Sequence, residues 1–163
     1  MLKLTYDQLV PFFQKHGLDS QIQSETNQIY APLKVGEREF PFFVRIFEGS
    51  GLLQLLVFLP CNVPAERVSD MGRLLHMFNK ELDVPGFGMD EMIGVVFFRC
   101  MVPVYEEEIP EAILESFLAT FKTICQSFSP AVEALAAGAV TFDEMLAKAN
   151  AAQKEAEEKQ KRV

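Results

Sequence analysis

Apolar positions change period along the chain, and the changes mark the elements. Leu9, Val10, Phe12 and Phe13 crowd one side of a helix that Gly17 stops. Thr5 and Gln8 have capping-box spacing, and Leu4 and Leu9 are placed for a hydrophobic staple. Pro11 removes a backbone donor and predicts a kink or a shifted start. The period then falls to two. Asp19 to Glu25 alternates weakly, as a short edge strand does, and Thr26-Asn27 is a turn signal. Gln28 to Val35 reads as a strand in which Pro32 argues for an edge or a bulge, and Gly36-Glu37 turns the chain. Phe40 to Glu48 is the strongest strand. Phe40, Phe42, Val44 and Ile46 point one way, and Phe43, Arg45 and Phe47 the other. Gly49-Ser50-Gly51 closes a hairpin into Leu52 to Leu59, apolar on both sides except at Gln54. Residues 28 to 59 thus form an antiparallel meander. Its doubly apolar central strands predict that both sheet faces are at least partly covered.

Helical spacing returns at Val68, Met71, Leu74, Leu75, Phe78 and Leu82, with Pro64 suited to the first turn. Pro85-Gly86-Phe87-Gly88 ends that segment. Phe87 to Met89 makes a short strand, Asp90-Glu91 a turn, and Met92 to Val104 a long strand interrupted only by Arg99. Glu106-Glu107-Glu108 before Pro110 suits a helix N-terminus, where the macrodipole favours acids. A third helix follows on Ile113, Leu114, Phe117, Leu118, Phe121, Ile124 and Cys125. Ser129-Pro130 either kinks it or caps a new helix that runs to Gly138. Thr141 and Glu144 form a second capping box, before a helix with Met145 and Leu146 on its apolar side. The pattern predicts an α+β fold: a single antiparallel sheet with helices packed on it, in the order α-β-β-β(-β)-α-β-β-α-α. Residues 1–150 form one domain, and residues 151–163 a charged tail that is a frayed helix or disordered.

Composition narrows the functions. The 163 residues carry a net charge of −8, with 15 Phe and no Trp. A field of that sign repels phosphate backbones and anionic lipid and attracts a basic segment. Its simplest role is to keep the protein soluble. No apolar run is long enough to span a bilayer, and Met1-Leu2-Lys3-Leu4 does not open a secretory signal. Three widely spaced cysteines in apolar surroundings argue against a disulfide framework, so the cytoplasm is the expected compartment.

The chemistry-bearing residues form no constellation. His16 and His76 lack metal-ligand spacing, and Cys61, Cys100 and Cys125 lack a paired thiol, so no metal and no cofactor are expected. Gly49-Ser50-Gly51 joins two strands and is a hairpin turn, not a nucleophile elbow. Gly86-Phe87-Gly88 lacks the third glycine of a dinucleotide fingerprint. Asp90-Glu91 is turn polarity. What remains is surface for a partner. If helices cover the Phe42 side of the sheet, Phe43, Arg45 and Phe47 offer an aromatic face to a peptide or a second copy. The competing expectation is that another helix covers that face too. Val96 and Phe98 are a second pair of candidates.

A wider pattern resembles the YbjN family. It comprises Leu75-His76-Met77-Phe78-Asn79, the Pro85-Gly86-Phe87-Gly88 break, the strand Val95 to Val104 and the helix Ile109 to Phe128. It continues with Ser129-Pro130-Ala131-Val132-Glu133-Ala134-Leu135, Gly138 and Thr141-Phe142-Asp143-Glu144-Met145-Leu146. In layout the chain is also similar to the class I type III secretion chaperones, small acidic dimers that hold an unfolded segment of a secreted effector; the additional C-terminal helix departs from that pattern. The resemblance implies a cytoplasmic, non-enzymatic, chaperone-like or regulatory protein of bacterial type. Its partner would be a protein or peptide client with a basic or amphipathic segment, without nucleic-acid binding or membrane insertion. Two rivals stand beside this: a structural homodimer joined through the second helix and the strand Met92 to Val104, and an enzyme without a recognisable motif.

Overall fold

The structure is a computed structural model that describes residues 1–84 and 86–160. Its centre is an antiparallel sheet of six strands. In chain order the elements are β1 (Leu2–Lys3), α1 (Tyr6–Lys15), β2 (Gln21–Gln23), β3 (Gln28–Tyr30), β4 (Leu33–Val35), β5 (Arg38–Phe40), β6 (Phe42–Phe47) and β7 (Leu52–Asn62). Then come α2 (Val68–Glu81, entered by a single 3₁₀ turn), β8 (Phe87–Asp90), β9 (Val95–Pro103), β10 (Glu108–Ile109), α3 (Glu111–Ala136) and α4 (Phe142–Gln160). The main sheet runs β2-β3-β6-β7-β9-β8, while β1 pairs with β10 and β4 with β5. The expected α+β class and the order of helices and main-sheet strands hold.

Alternation along the strands decides which side chains are buried. Phe42, Val44 and Ile46 of β6, Leu53, Leu55, Val57 and Leu59 of β7, and Val96, Phe98, Cys100 and Val102 of β9 all turn inward and are buried. Helices cover that face. Phe13 of α1 meets Phe42 edge-on at 6.1 Å, and Phe121 of α3 meets Phe42 and Phe98, each at 5.2 Å. Phe78 of α2 meets Phe87 at 5.4 Å and Phe128 of α3 at 4.7 Å. These interlocked rings explain the abundance of Phe: edge-to-face pairs fill a core between a twisted sheet and its helices at little entropic cost. α4 lies outside this layer, against α2, where Arg73 stacks over Phe142 at 4.1 Å and reaches Asp143 at 3.3 Å. From residue 147 to residue 160 it is exposed throughout.

Long-range pairing redraws several expected boundaries. Pro32 splits residues 28–35 into β3 and β4, and β4 and β5 form a separate hairpin around Gly36, at φ +63°. The long β9 starts at Val95 rather than Met92. Gly94 turns the chain at φ +66°, and a Cβ there would sit 2.3 Å from the Val63 carbonyl oxygen. Glu106 and Glu107 do not open a helix. They make a tight left-handed turn at φ 50° and 55°, from which β10 pairs with β1. α3 is continuous through Ser129-Pro130, so of the two expected outcomes no new helix is capped there. The capping box expected at Thr5 is replaced as well. Gln8 Oε1 accepts from the Lys3 amide at 2.9 Å, and the Thr5 side chain makes no cap bond. The box at Thr141 does form: the Thr141 amide donates to Glu144 Oε2 at 2.8 Å and the Glu144 amide to Thr141 Oγ1 at 3.2 Å. Of the expected C-terminal tail, residues 151–160 continue α4 and 161–163 lie outside the described residues, as does Pro85 of the expected break.

Candidate functional site

Among the described residues no helix packs on the opposite face of the sheet. The expectation that both faces are covered fails, because α1, α2 and α3 all pack on the Phe42/Phe98 side. Register fixes what the open face presents. Tyr30 faces Phe43, Phe43 faces Leu56, and Leu56 faces Arg99. In the next row Arg45 faces Gln54 and Gln54 faces Met101, and in the row after it Phe47 faces Leu52. On the other side of the Phe43 row, Phe58 faces Phe97. An aromatic line therefore crosses the strands: Tyr30 to Phe43 at 5.2 Å, Phe43 to Phe58 at 5.7 Å, and Phe58 to Phe97 at 6.4 Å. These rings, with Leu56 and Val95, are half-buried.

Apolar surface continues past the strands. The turn between β8 and β9 holds up Met92, 93 % exposed, and Ile93, 63 % exposed, and Met101 of β9 is 42 % exposed. Asp90 Oδ1 accepts from the Met92 amide at 3.1 Å and so holds this turn. Ile93, Val95, Phe97, Leu56 and Phe58, with Gln54, Asp90 and Arg99, surround a hollow of about 240 Å³. That is below the ~300–1,000 Å³ usual for a small-molecule or cofactor site, and it suits one bulky side chain. Gly88 of β8 leaves room for the Phe97 ring. A Cβ there would stand 2.6 Å from the Phe97 ring, which lies across β8.

Two cations stand on this apolar ground. Arg45 lies over Phe47 at 5.1 Å and Arg99 over Phe97 at 5.6 Å. Among the described residues neither guanidinium has an ion pair or a side-chain hydrogen bond, whereas Arg38 and Arg73 are both paired with acids. Arg38 shows the contrast: it bonds Glu133 and the buried Ser129 hydroxyl (3.2 Å), tying the β4–β5 hairpin to α3.

Of the sequence candidates, Phe43, Arg45 and Phe47 do stand together on the open face. Val96 and Phe98 do not. Both are 0 % exposed, and Phe98 is wedged between Phe87 and Phe121, so they belong to the core. Their neighbours Val95 and Phe97 hold the open-face positions. The overlooked residues are Tyr30, Leu56, Phe58, Val95, Phe97 and Arg99. Arg99 was the available signal, since an exposed arginine marks the outward phase and puts Phe97 and Val95 with it.

Other features offer little reactivity. Burial pushes the thiols of Cys61 and Cys100 up to about 11 and that of Cys125 up to about 12, so all three stay protonated and weakly nucleophilic near neutrality. A hollow of about 470 Å³ between α2 and α4 is floored by Phe78, Phe128 and Leu146, but its charged rim residues Lys80 and Glu81 pair with each other at 3.6 Å. Among the described residues no three potential ligands gather around a metal-sized space, and no helix is long and apolar enough to cross a membrane.

A family model, YbjN, described as "Putative bacterial sensory transduction regulator", matches residues 5–134, from the N-terminal cap of α1 nearly to the end of α3. No curated protein sequence matches the chain.

Proposed function

The chain belongs to the YbjN family, and on that premise we propose that it is a non-enzymatic regulatory protein that holds an extended segment of a partner protein on its open sheet face, in the manner of a secretion chaperone. One observation carries this reading: the aromatic line Tyr30–Phe43–Phe58–Phe97 and the exposed Met92, Ile93 and Met101 form an apolar surface that no helix among the described residues covers. Contiguous apolar patches of this kind on a folded chain mark interaction sites. The rings are rigid and already aligned, so a partner that lies on them orders few side chains on this side of the interface. Phe43, Arg45, Phe47, Phe97 and Arg99 form its centre. Three unbridged thiols agree with action in a reducing cytoplasm.

The test is affinity capture from a bacterial lysate at low and high salt, with the wild type and the Phe43→Ser/Phe97→Ser variant side by side. The expected result is one dominant protein retained by the wild type and lost by the variant, with both baits melting cooperatively. Equal retention by both baits would remove the open face from consideration. Recovery of the bait alone, with a dimer mass by light scattering, would favour the structural homodimer.

A further inference from the structure

We infer that the segment accepted by the open face is acidic as well as apolar, presenting carboxylates to Arg45 and Arg99 and a bulky aliphatic or aromatic side chain to the hollow between Arg99 and Ile93. This rests on the open face being the binding surface. It reverses the expectation drawn from the net charge of −8, which favoured a basic client.

Local charge decides the matter. The outward positions of the six main-sheet strands carry two arginines and a single acid, Asp90, in a chain with 23 acidic residues. Asp90 is turned to the Met92 amide. Over its strand positions the face is thus cationic and apolar on an anionic protein, with Glu91 of the β8–β9 turn at its rim. A guanidinium stacked on a ring keeps its in-plane N–H fork free for a carboxylate, and the ring shields the pair from water on one side. The register places Arg45 and Arg99 in adjacent rows, with Gln54 and Leu56 between them. An extended segment has side chains that alternate in direction, so those facing the sheet can meet Arg45, then Arg99 and the hollow beside it.

The overall field limits the occupant. Repulsion by the surrounding acids is screened beyond ~8–10 Å at physiological salt, while a contact pair acts within that distance. A segment with a few carboxylates therefore gains the two pairs without carrying a high charge density into the field. A single-stranded nucleic acid, which could also stack on an aromatic sheet, brings a charge at every residue and is disfavoured.

The test uses the full chain as bait for a displayed random-peptide library, followed by binding titrations of the enriched peptides and of their Lys-for-acid counterparts. The expected sequences combine Asp or Glu with Phe, Leu, Ile or Met. Their affinity falls on the order of tenfold in Arg45→Gln/Arg99→Gln. The Arg45→Glu/Arg99→Glu variant instead prefers the Lys-bearing counterparts. Enriched peptides that are basic or uncharged, lose affinity in Phe43→Ser/Phe97→Ser and ignore both arginine variants would overturn the charge assignment and leave the face as the binding surface. Peptides that bind all variants equally, or no enrichment at all, would overturn both. Displacement of a selected peptide by a single-stranded oligonucleotide at low concentration would overturn the assignment to a protein segment.

Discussion

The two faces of the main sheet are made from the same kinds of residue and meet different neighbours. On β9 the inward series is Val96, Phe98, Cys100 and Val102, and the outward series Val95, Phe97, Arg99 and Met101. Phe98 touches Phe87 and Phe121 and is fully buried, whereas Phe97 touches Phe58 and stays half-exposed. Hydrophobicity alone does not distinguish the faces. They differ in the helical layer over one of them and in the arginines and Gln54 that mark the other. An apolar face that is flagged with charge and left without cover has the composition of an interface, while the face beneath α1 and α3 has that of a core.

The sharpest way to break this comparison is to truncate both phenylalanines of β9. Phe98→Ala should cost about 3–5 kcal/mol in denaturant unfolding, since it removes a ring from a filled space between sheet and helices. Phe97→Ala should cost about 1 kcal/mol, because its ring loses one aromatic neighbour and half-exposed area. Equal losses would mean that the open face is covered in solution.

Asn79 tests the boundary between the faces, at the outer edge of β8. Its Oδ1 accepts from the amides of Gly86 (3.1 Å) and Phe87 (2.9 Å), and its Nδ2 donates to the Phe87 carbonyl (2.9 Å). One side chain of α2 thus does the work of a neighbouring strand and blocks an edge that could otherwise recruit another chain. Asn79→Ala should destabilise by about 1–3 kcal/mol, as expected when partly buried backbone groups lose their partners. Faster amide exchange confined to residues 86–90 would be the accompanying sign.

Gly88 sharpens the comparison from the other side. In Gly88→Ala the new methyl group first meets the far end of the Phe97 ring, which can swing aside. Stability should change by less than about 1 kcal/mol. The affinity of a bound partner segment should still change several-fold, because the end of the aromatic line moves. An unchanged affinity with an unchanged stability would put Phe97 outside the contact surface.

The sequence carried most of the framework and part of the face. β6 was legible because Arg45 breaks the apolar run and sets the phase for Phe43 and Phe47. β9 carries the run Val95-Val96-Phe97-Phe98, in which both faces look alike, and only Arg99 gives the phase; Val96 and Phe98 were therefore placed one residue out of step. The turn at Glu106-Glu107 leads into the pairing of β10 with β1, over a hundred residues away, which no local spacing encodes. The Thr141–Glu144 box depends on nothing beyond its own turn, and its spacing alone predicts the bonds that form.

That local character makes the smallest expected effect also the cleanest. Hydrogen bonds from the Thr141 backbone amide, and then from its hydroxyl, favour the charged form of Glu144 and hold its carboxyl below the ordinary value of 4.5. A carboxylate whose value is depressed by folding stabilises the fold fully above its unfolded value, and the benefit disappears as pH falls through the lower folded one. Acid should therefore loosen the start of α4 below about pH 4.5. The comparison is with Glu144→Gln, which can bond the Thr141 amide without a charge to lose. Helicity followed by circular dichroism should drop earlier on acidification in the wild type than in the variant. The open face, on the far side of the sheet from α4, should not respond to this step: the resonances of Phe97 and Arg99 should coincide in the two proteins throughout the titration. If they diverged, α4 would be coupled to the face, and the helical layer could no longer be treated as independent of the surface it leaves open.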